Sequence, residues 1–210
     1  YRSSRGLGDV YKRQVLIHGG AGGVGTAALQ LCQWAGVSKV WATASGHKAD
    51  IIKQYSGIPI DRHKEDFVEI VKRETGGRGV DHILDPIGGE NLKRSLKVLA
   101  MGGKLYSFGM SAAAPTSKRS LLKAYFAWRK TPKFDPLKMM SRNQGVFGVH
   151  MGTWNDEAVI AEQLHRIIDG VNQGVLDPVV DSVFAVEDAA QAHQYIHDGK
   201  NIGKVLLSFK

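Results

Sequence analysis

The chain has 210 residues, 43% of them hydrophobic and 23% charged, which is the composition of an ordinary globular protein of one large domain or two small ones. No apolar run approaches the roughly 20 residues that cross a bilayer. With Cys32 as its only cysteine, the chain can form neither an internal disulfide nor a four-cysteine zinc site.

The formal net charge is +8, but residues 1–14 (YRSSRGLGDVYKRQ) contribute +3 of it, leaving +5 for the rest. That remainder is too modest to argue for nucleic acid, and no reader motif accompanies it. Residues 1–14 show no apolar period and run abruptly into a strand pattern. They read as a disordered or non-native tail, such as a cloning scar or a sequencing artefact. Nothing resembles a secretory signal, so a reducing cytoplasmic compartment is expected, with Cys32 as a small core residue.

Apolar strands and helical stretches then alternate, as in βαβ units over a parallel sheet. A strand is expected at Val15–His18, a helix from Val24 to Ala35, a strand at Lys39–Ala44 and a helix near Lys48–Tyr55. Ile58–Asp61 reads as a short strand and Asp66–Thr75 as a helix with Phe67, Ile70 and Val71 on one face. Val80–Asp85 is a fourth strand, Glu90–Leu99 a helix and Gly103–Gly109 a fifth strand. Residues 111–141 hold no clear strand; in them Lys118, Arg119, Lys123, Arg129, Lys130, Lys133 and Lys138 alternate with Tyr125, Phe126, Trp128 and Phe134. A strand resumes at Gly145–His150. Asp156–Gly174 follows as a long amphipathic helix, whose Val159, Leu164, Ile167, Ile168 and Val171 are expected to face a core. A strand at Ser182–Ala185, a helix at Glu187–Asp198 and a strand at Lys204–Phe209 close the chain.

The motif with most chemistry is Gly20-Ala21-Gly22-Gly23-Val24-Gly25, set between the strand Val15-Leu16-Ile17 and the helix opening Thr26-Ala27-Ala28. Strand, glycine turn and helix in that order suit the diphosphate of a dinucleotide. Glycine lets the backbone come close, and the helix aims free N–H groups and its positive end at the anion. An NAD site carries an acidic residue about 20 positions further on. Here the second strand ends Trp41-Ala42-Thr43-Ala44-Ser45-Gly46-His47-Lys48, without a carboxylate, so the expected cofactor is NADPH. Ser45 and Lys48 are the candidates for its 2′-phosphate, with Thr43 on the adenosine side and Arg62 and His63 adding positive charge.

Five segments in order, VLIHGGAGGVGTAALQL, ATASGHK, GGRGVDHILDPIGGENL, GGKLYSFGM and GVLDPVVDSVFAVEDAAQAHQYIHDGKNIGKVLL, resemble the nucleotide-binding half of the medium-chain dehydrogenase/reductase superfamily. Within it the resemblance is to the zinc-independent quinone oxidoreductase branch and its vesicle amine transport protein homologues. These share the TAS-x-x-K turn, the DP-x-GG loop and a segment seen here as Gly148-Val149-His150-Met151-Gly152. The resemblance implies a Rossmann-type doubly wound α/β domain over residues 15–181. It implies that Ala21, Gly22, Gly23, Val24 and Gly25 wrap the diphosphate. Asp85, Pro86, Ile87 and Gly88, with Gly109 and Met110, would border the nicotinamide ribose. Val149 and Met151 would position the ring, and Asn201 would touch the cofactor. Arg62 stands where relatives commonly carry a tyrosine. The substrate would be a quinone or an activated enone or carbonyl. A homodimer would form by edge pairing of the strand at 145–150. The same family carries a GroES-like catalytic barrel for which no segment here reads. Residues 182–210 are therefore expected to be a strand-helix-strand remnant of that absent domain, and the chain a fragment.

The eight histidines show no zinc spacing, and no metal is expected. His193 and His197 lie four apart on a helix but lack a third ligand. His150 is the weak catalytic candidate, as a donor to a substrate oxygen. The alternative reading is a non-catalytic nucleotide-binding protein peripheral to vesicle or organelle membranes, suggested by the cationic, aromatic stretch at 117–138.

Overall fold

The computed structural model describes residues 13–113 and 121–209. Its main sheet has six parallel strands in the order β3-β2-β1-β4-β5-β6. These are β1 (Gln14–His18), β2 (Lys39–Ala44), β3 (Ile58–Asp61), β4 (Val80–Asp85), β5 (Leu99–Ser107) and β6 (Gly145–Gly148). The chain winds outward from β1 to β3, returns to the other side of β1 and winds outward again. That is the doubly wound arrangement, with its reversal between β1 and β4.

β1 shows why the strands read as unbroken apolar runs. Val15 and Ile17 pack on one face with Ala28 and Leu29 of helix α1 (Gly23–Trp34) and Ile52 of α2 (Ala49–Gln54). Leu16 points to the opposite face, into a cluster with Trp41, Phe67, Val68 and Val71 of α3 (Phe67–Glu74) and Leu92 of α4 (Glu90–Ser95). Both faces are covered, so no polar alternation survives in a central strand. α3 starts where expected because the Asp66 carboxylate accepts from the Val68 amide, 2.8 Å away.

The observed elements correct several expectations. β1 begins at Gln14, whose amide donates to Asp81 at 2.8 Å, and the Arg13 carbonyl accepts from Ser38. The last two residues of the expected tail thus belong to the fold; residues 1–12 lie outside the described residues. The helix expected to reach Leu99 stops at Ser95 and tightens into a 3-10 turn over Leu96–Val98. β5 then starts at Leu99, four residues early, and its pairing with β4 slips between Val80 and His82. Gly102, at φ +75°, sits inside that irregularity and does not precede the strand. β6 ends at Gly148, two residues short of His150.

Residues 121–140 form α5 (Leu121–Lys130) and α6 (Pro136–Met140). α7 (Glu157–Asn172) is the long helix expected, but its stripe does not face a core. Leu164 is 53% exposed, and Ile167, Ile168 and Val171 are similarly open. Periodicity records that a helix has an apolar face, not that this chain covers it.

The chain ends in β7 (Val180–Ala185), α8 (Ala189–His197) and β8 (Lys204–Ser208), with β7 and β8 in a parallel pair of their own. This unit is docked on α1. The Gln30 side chain donates to the Asp177 carbonyl and accepts from its amide, both at 2.7 Å. Gly203 donates to the Ala21 carbonyl at 2.9 Å.

Candidate functional site

The reversal between β1 and β4 opens a cleft at the carboxyl ends of the strands, where ligands of such sheets bind. It has a volume of about 220 Å³ and is lined on one side by Gly19, Gly22, Gly23, Val24 and Gly25, and on the other by Leu84, Pro86 and Phe108. The glycine turn is tight for identifiable reasons. A Cβ on Gly20 would fall 2.5 Å from that of Ala42, and one on Gly25 would fall 2.6 Å from the Gly20 carbonyl carbon and Cα. A side chain at Gly20 would push the turn off β2, and one at Gly25 would push α1 off the turn.

α1 begins with unsatisfied donors. Its first intrahelical bond runs from the Thr26 amide to the Gly22 carbonyl at 2.9 Å. The amides of Gly23, Val24 and Gly25 therefore have no helical partner. Gly22 offers no side-chain cap, and no acidic residue sits in the first turn. The Gly23 amide is turned to the Gly203 carbonyl in the parallel bridge between Gly22 and Gly203, so the Val24 and Gly25 amides and the positive helix end remain at the cleft, in the arrangement that accepts a phosphate.

The facing wall is the loop after β4. Asp85, fully buried, accepts from the amides of Ile87 (2.7 Å) and Gly88 (2.9 Å) and from the Asn91 side chain (2.8 Å). Asp85 thus shapes the loop and is spent doing so. The loop after β5 locks onto it: Ala112 donates to the Ile87 carbonyl at 2.9 Å, and a Cβ on Gly109 would lie 2.7 Å from the Pro86 carbonyl oxygen. Ile87 and Gly109 are thereby brought together at the ends of neighbouring strands. Val149 joins them through its amide, which donates to the Ser107 carbonyl at 2.9 Å. Met151 is exposed in the 3-10 turn beyond β6. His150 precedes that turn, exposed, with Nδ1 3.3 Å from the Thr153 hydroxyl.

A second group gathers at the ends of β2 and β3. The Arg62 Nε donates to His63 Nε2 at 3.2 Å, and the Ser45 hydroxyl lies 3.3 Å from the same nitrogen. Three of the candidates for positive charge and phosphate contact are thus adjacent. Lys48 differs from the expectation of a free cation. It is 8% exposed, and its Nζ donates to the carbonyls of Gly199 (2.6 Å) and Asn201 (2.5 Å). Burial, and then the nearby Arg62 charge, push its pKa down, with Asp181 acting the other way. Asn201 enters the site region as the acceptor of this bond.

Thr43 is a plain correction. Its side chain is buried and turned to β1, 3.2 Å from His18 Nδ1, and accepts from the Gly19 amide at 3.3 Å. Its hydroxyl is thus committed to β1 and the glycine turn. Two further residues were missed. Asp61, which pairs with Ala44 across β3 and β2, lies against Gly46 and accepts from the His63 amide at 3.0 Å. A carboxylate therefore reaches the corner that β2 alone leaves free of one. Ser95 is the other: its hydroxyl is 3.0 Å from His18 Nε2. A histidine inside an otherwise apolar strand was the available signal, because a buried imidazole needs partners. Cys32 is inert, its thiol pushed up to about 11 by burial.

A family model described as zinc-binding dehydrogenase matches residues 58–207. The chain belongs to this family. The zinc-binding dehydrogenase chain is 36% identical over 196 residues to the mouse synaptic vesicle membrane protein VAT-1 homolog, covering 92% of this chain and 48% of the relative. It is 28% identical to rat quinone oxidoreductase over 92% of its own length and 54% of that protein. It therefore spans about half the length of these curated relatives. The solved Escherichia coli quinone oxidoreductase complexed with NADPH shares the fold, with a TM-score of 0.74 at 24% identity over 93% of this chain and 57% of that one. Among the described residues, no three His, Cys, Asp or Glu side chains converge on a metal position.

Proposed function

We propose that this zinc-binding dehydrogenase domain binds a nicotinamide dinucleotide, NADPH in preference to NADH, and orients it for reduction of a quinone or an activated enone or carbonyl. The observation that carries the reading is the start of α1. Its Val24 and Gly25 amides, without a partner among the described residues, lie at the cleft beside a turn that the missing Cβ atoms of Gly20 and Gly25 allow to close tightly. Ala21 and Gly22 complete the turn.

The preference for NADPH is supported by Arg62. Among the described residues its guanidinium has no carboxylate within 4 Å, while Asp61 is engaged with His63. Ser45 and His63 stand beside it as hydrogen-bonding partners for a phosphate. Ile87, Gly109, Val149 and Met151 would border the nicotinamide half, and Asn201 would lie near the adenosine side. The reduced nicotinamide supplies the hydride when bound. The Thr153 hydroxyl donates to the His150 carbonyl, so His150 Nδ1 is the donor to Thr153, and Nε2 would give a proton or hydrogen bond to the substrate oxygen only from the doubly protonated ring. The test is titration with NADPH and NADH, followed by nicotinamide fluorescence, on the chain and on Arg62→Ala. NADPH should bind tighter, and the substitution should weaken it about tenfold, the worth of one charge-assisted contact, with NADH unaffected. Equal affinities in the unsubstituted chain would remove the phosphate assignment, and absence of both would remove the dinucleotide.

A second reading, peripheral contact with an anionic membrane, is favoured by α5. Tyr125, Phe126 and Trp128 are exposed there beside Arg129 and Lys130. Leu121 and Leu122 of the expected stripe lie outside the side chains described. No helix among the described residues is long and apolar enough to cross a membrane. Co-sedimentation with anionic liposomes, lost when the three aromatics become serine, would support it. β6 has a partner on one side only and leaves Phe147 exposed, which supports edge pairing into a homodimer. Light scattering tests that state.

A further inference from the structure

We propose that His18 is a positioning residue, which with Thr43, Ser95 and Asp85 forms one directional hydrogen-bonded relay locking the glycine turn on one wall of the cleft to the β4 loop on the other. All four side chains are buried, so each polar atom must find its partner inside the protein. The Ser95–Asp85 contact selects one of the two proton orders open to a neutral imidazole. Asp85 as a carboxylate only accepts, taking the amides of Ile87 and Gly88 and the Asn91 side chain, and lies 3.4 Å from the Ser95 hydroxyl. Ser95 therefore spends its proton on Asp85. Its oxygen is left to accept from His18 Nε2 at 3.0 Å. A neutral imidazole with its proton on Nε2 accepts at Nδ1, and the Thr43 hydroxyl is 3.2 Å away to donate. Thr43, its proton committed, accepts from the Gly19 amide at 3.3 Å.

The relay thus starts at the first residue of the glycine turn, where Gly19 holds φ +69°. It ends at the amides of Ile87 and Gly88, and crosses β2, β1, α4 and β4 without a gap. Neutrality of the imidazole is independently favoured by its burial, which outweighs the Asp85 carboxylate facing it and is reinforced by Arg94 from α4. The Phe67 ring meets His18 edge-on at 4.7 Å and offers no competing hydrogen bond. A purely space-filling role would need neither hydroxyl. The relay matters for binding through the dinucleotide reading above, because the two loops it joins would hold the diphosphate and the nicotinamide ribose.

The experiment uses the full chain and has two readouts. Long-range ¹⁵N NMR should show His18 as the Nε2–H tautomer. Thr43→Val should displace the Gly88 amide resonance although Thr43 is on β2, and Ser95→Ala should displace that of Gly19. Thr43→Ser, which restores the hydroxyl, should return both tautomer and Gly88 to their original state. NADPH titration of the same proteins should show about tenfold weaker binding in Thr43→Val and in Ser95→Ala, the worth of a lost buried hydrogen bond. The double variant should be no weaker than the worse single, since either break opens the same chain. An Nδ1–H tautomer, an unmoved Gly88 amide, or Thr43→Ser behaving like Thr43→Val would overturn the relay. If the tautomer and cross-wall shifts appear but the unsubstituted chain binds neither NADPH nor NADH, the dinucleotide reading fails and the relay stands.

Discussion

Acidification should destabilise this domain through His18, in a window that opens above the range of the carboxylates. His18 is 2% exposed, and burial lowers its pKa from 6.5 to about 4, with the Asp85 charge opposing and Arg94 assisting. The folded form therefore binds a proton less readily than the unfolded chain. Between about pH 6.5 and 4 the unfolded state holds more protons, so stability falls as pH drops through that range and levels off below it. At about 1.4 kcal/mol per tenfold change in proton affinity, the whole effect is about 3 kcal/mol, of which about two-thirds is reached by about pH 5. That is a substantial share of the about 5–15 kcal/mol that holds a domain together. His82, also lowered by burial and by Arg13, adds a smaller contribution of the same sign. Asp66, Asp81 and Asp181 are held below 3.8, so their losses come at lower pH. The assay is urea unfolding at several pH values on the chain and on His18→Gln, which cannot titrate. The substituted protein should show a profile flatter by about 3 kcal/mol, whatever its absolute stability. Two parallel profiles would refute the assignment of a buried, neutral His18.

Gly25→Ala should lower stability by about 1–3 kcal/mol, because its Cβ meets backbone that cannot rotate away. Gly148→Ala, which meets nothing within 4 Å, should leave the melting temperature unchanged. Lys48→Met removes two bonds to the 199–201 turn. Hydrogen exchange should then accelerate at Ile202 and Gly203 but not in β1 or β4, and the affinities for NADPH and NADH should change by the same factor. Leu164→Lys on the open face of α7 should stay within about 0.5 kcal/mol of the unsubstituted chain by chemical denaturation, as at any exposed position. A core-sized loss of about 2–5 kcal/mol would show that the face is covered.

β2, β3 and β4 were legible to the residue: β2 is an apolar run buried almost throughout, and the short β3 and β4 each end on an aspartate after apolar residues. The glycine turn was legible because its requirement is local: close backbone approach at Gly20 and Gly25 is a property of six consecutive residues. Thr43 was not. In a strand covered on both sides, nothing in the sequence says which face a lone hydroxyl takes, and its partner His18 comes from the neighbouring strand. Lys48 failed for a related reason, as its acceptors lie some 150 positions away at Gly199 and Asn201. The start of β5 was misplaced because Gly102-Gly103 looks like a boundary, whereas the pair sits within a bulge that lets Leu99 reach Val80. α7 shows the limit of amphipathicity: the stripe was read correctly and its burial was not.

The C-terminal unit changes what counts as the site. β7 and β8 form a two-stranded sheet of their own, with a bridge between Gly203 and Gly22 beside it, yet the unit is fastened at three separate points. Asp177 is held by both ends of the Gln30 amide, in the middle of α1; Gly203 donates to Ala21; and Lys48 ties down Gly199 and Asn201. Two of these attachments fall on the elements that form the glycine turn and the helix after it, and the third on the corner after β2. Lys204 extends the contact, its side chain lying where a Cβ on Gly23 would be, 2.7 Å from its Cδ. A side chain at Gly23 would therefore first displace residues more than 170 positions away. The lysine stem is flexible and can move aside, so the docking of β8 favours glycine at this position without demanding it. Gly25, whose missing Cβ would meet the backbone of Gly19 and Gly20, is required by the closure of the turn itself, so the ligand argument stays with the amides at the start of α1.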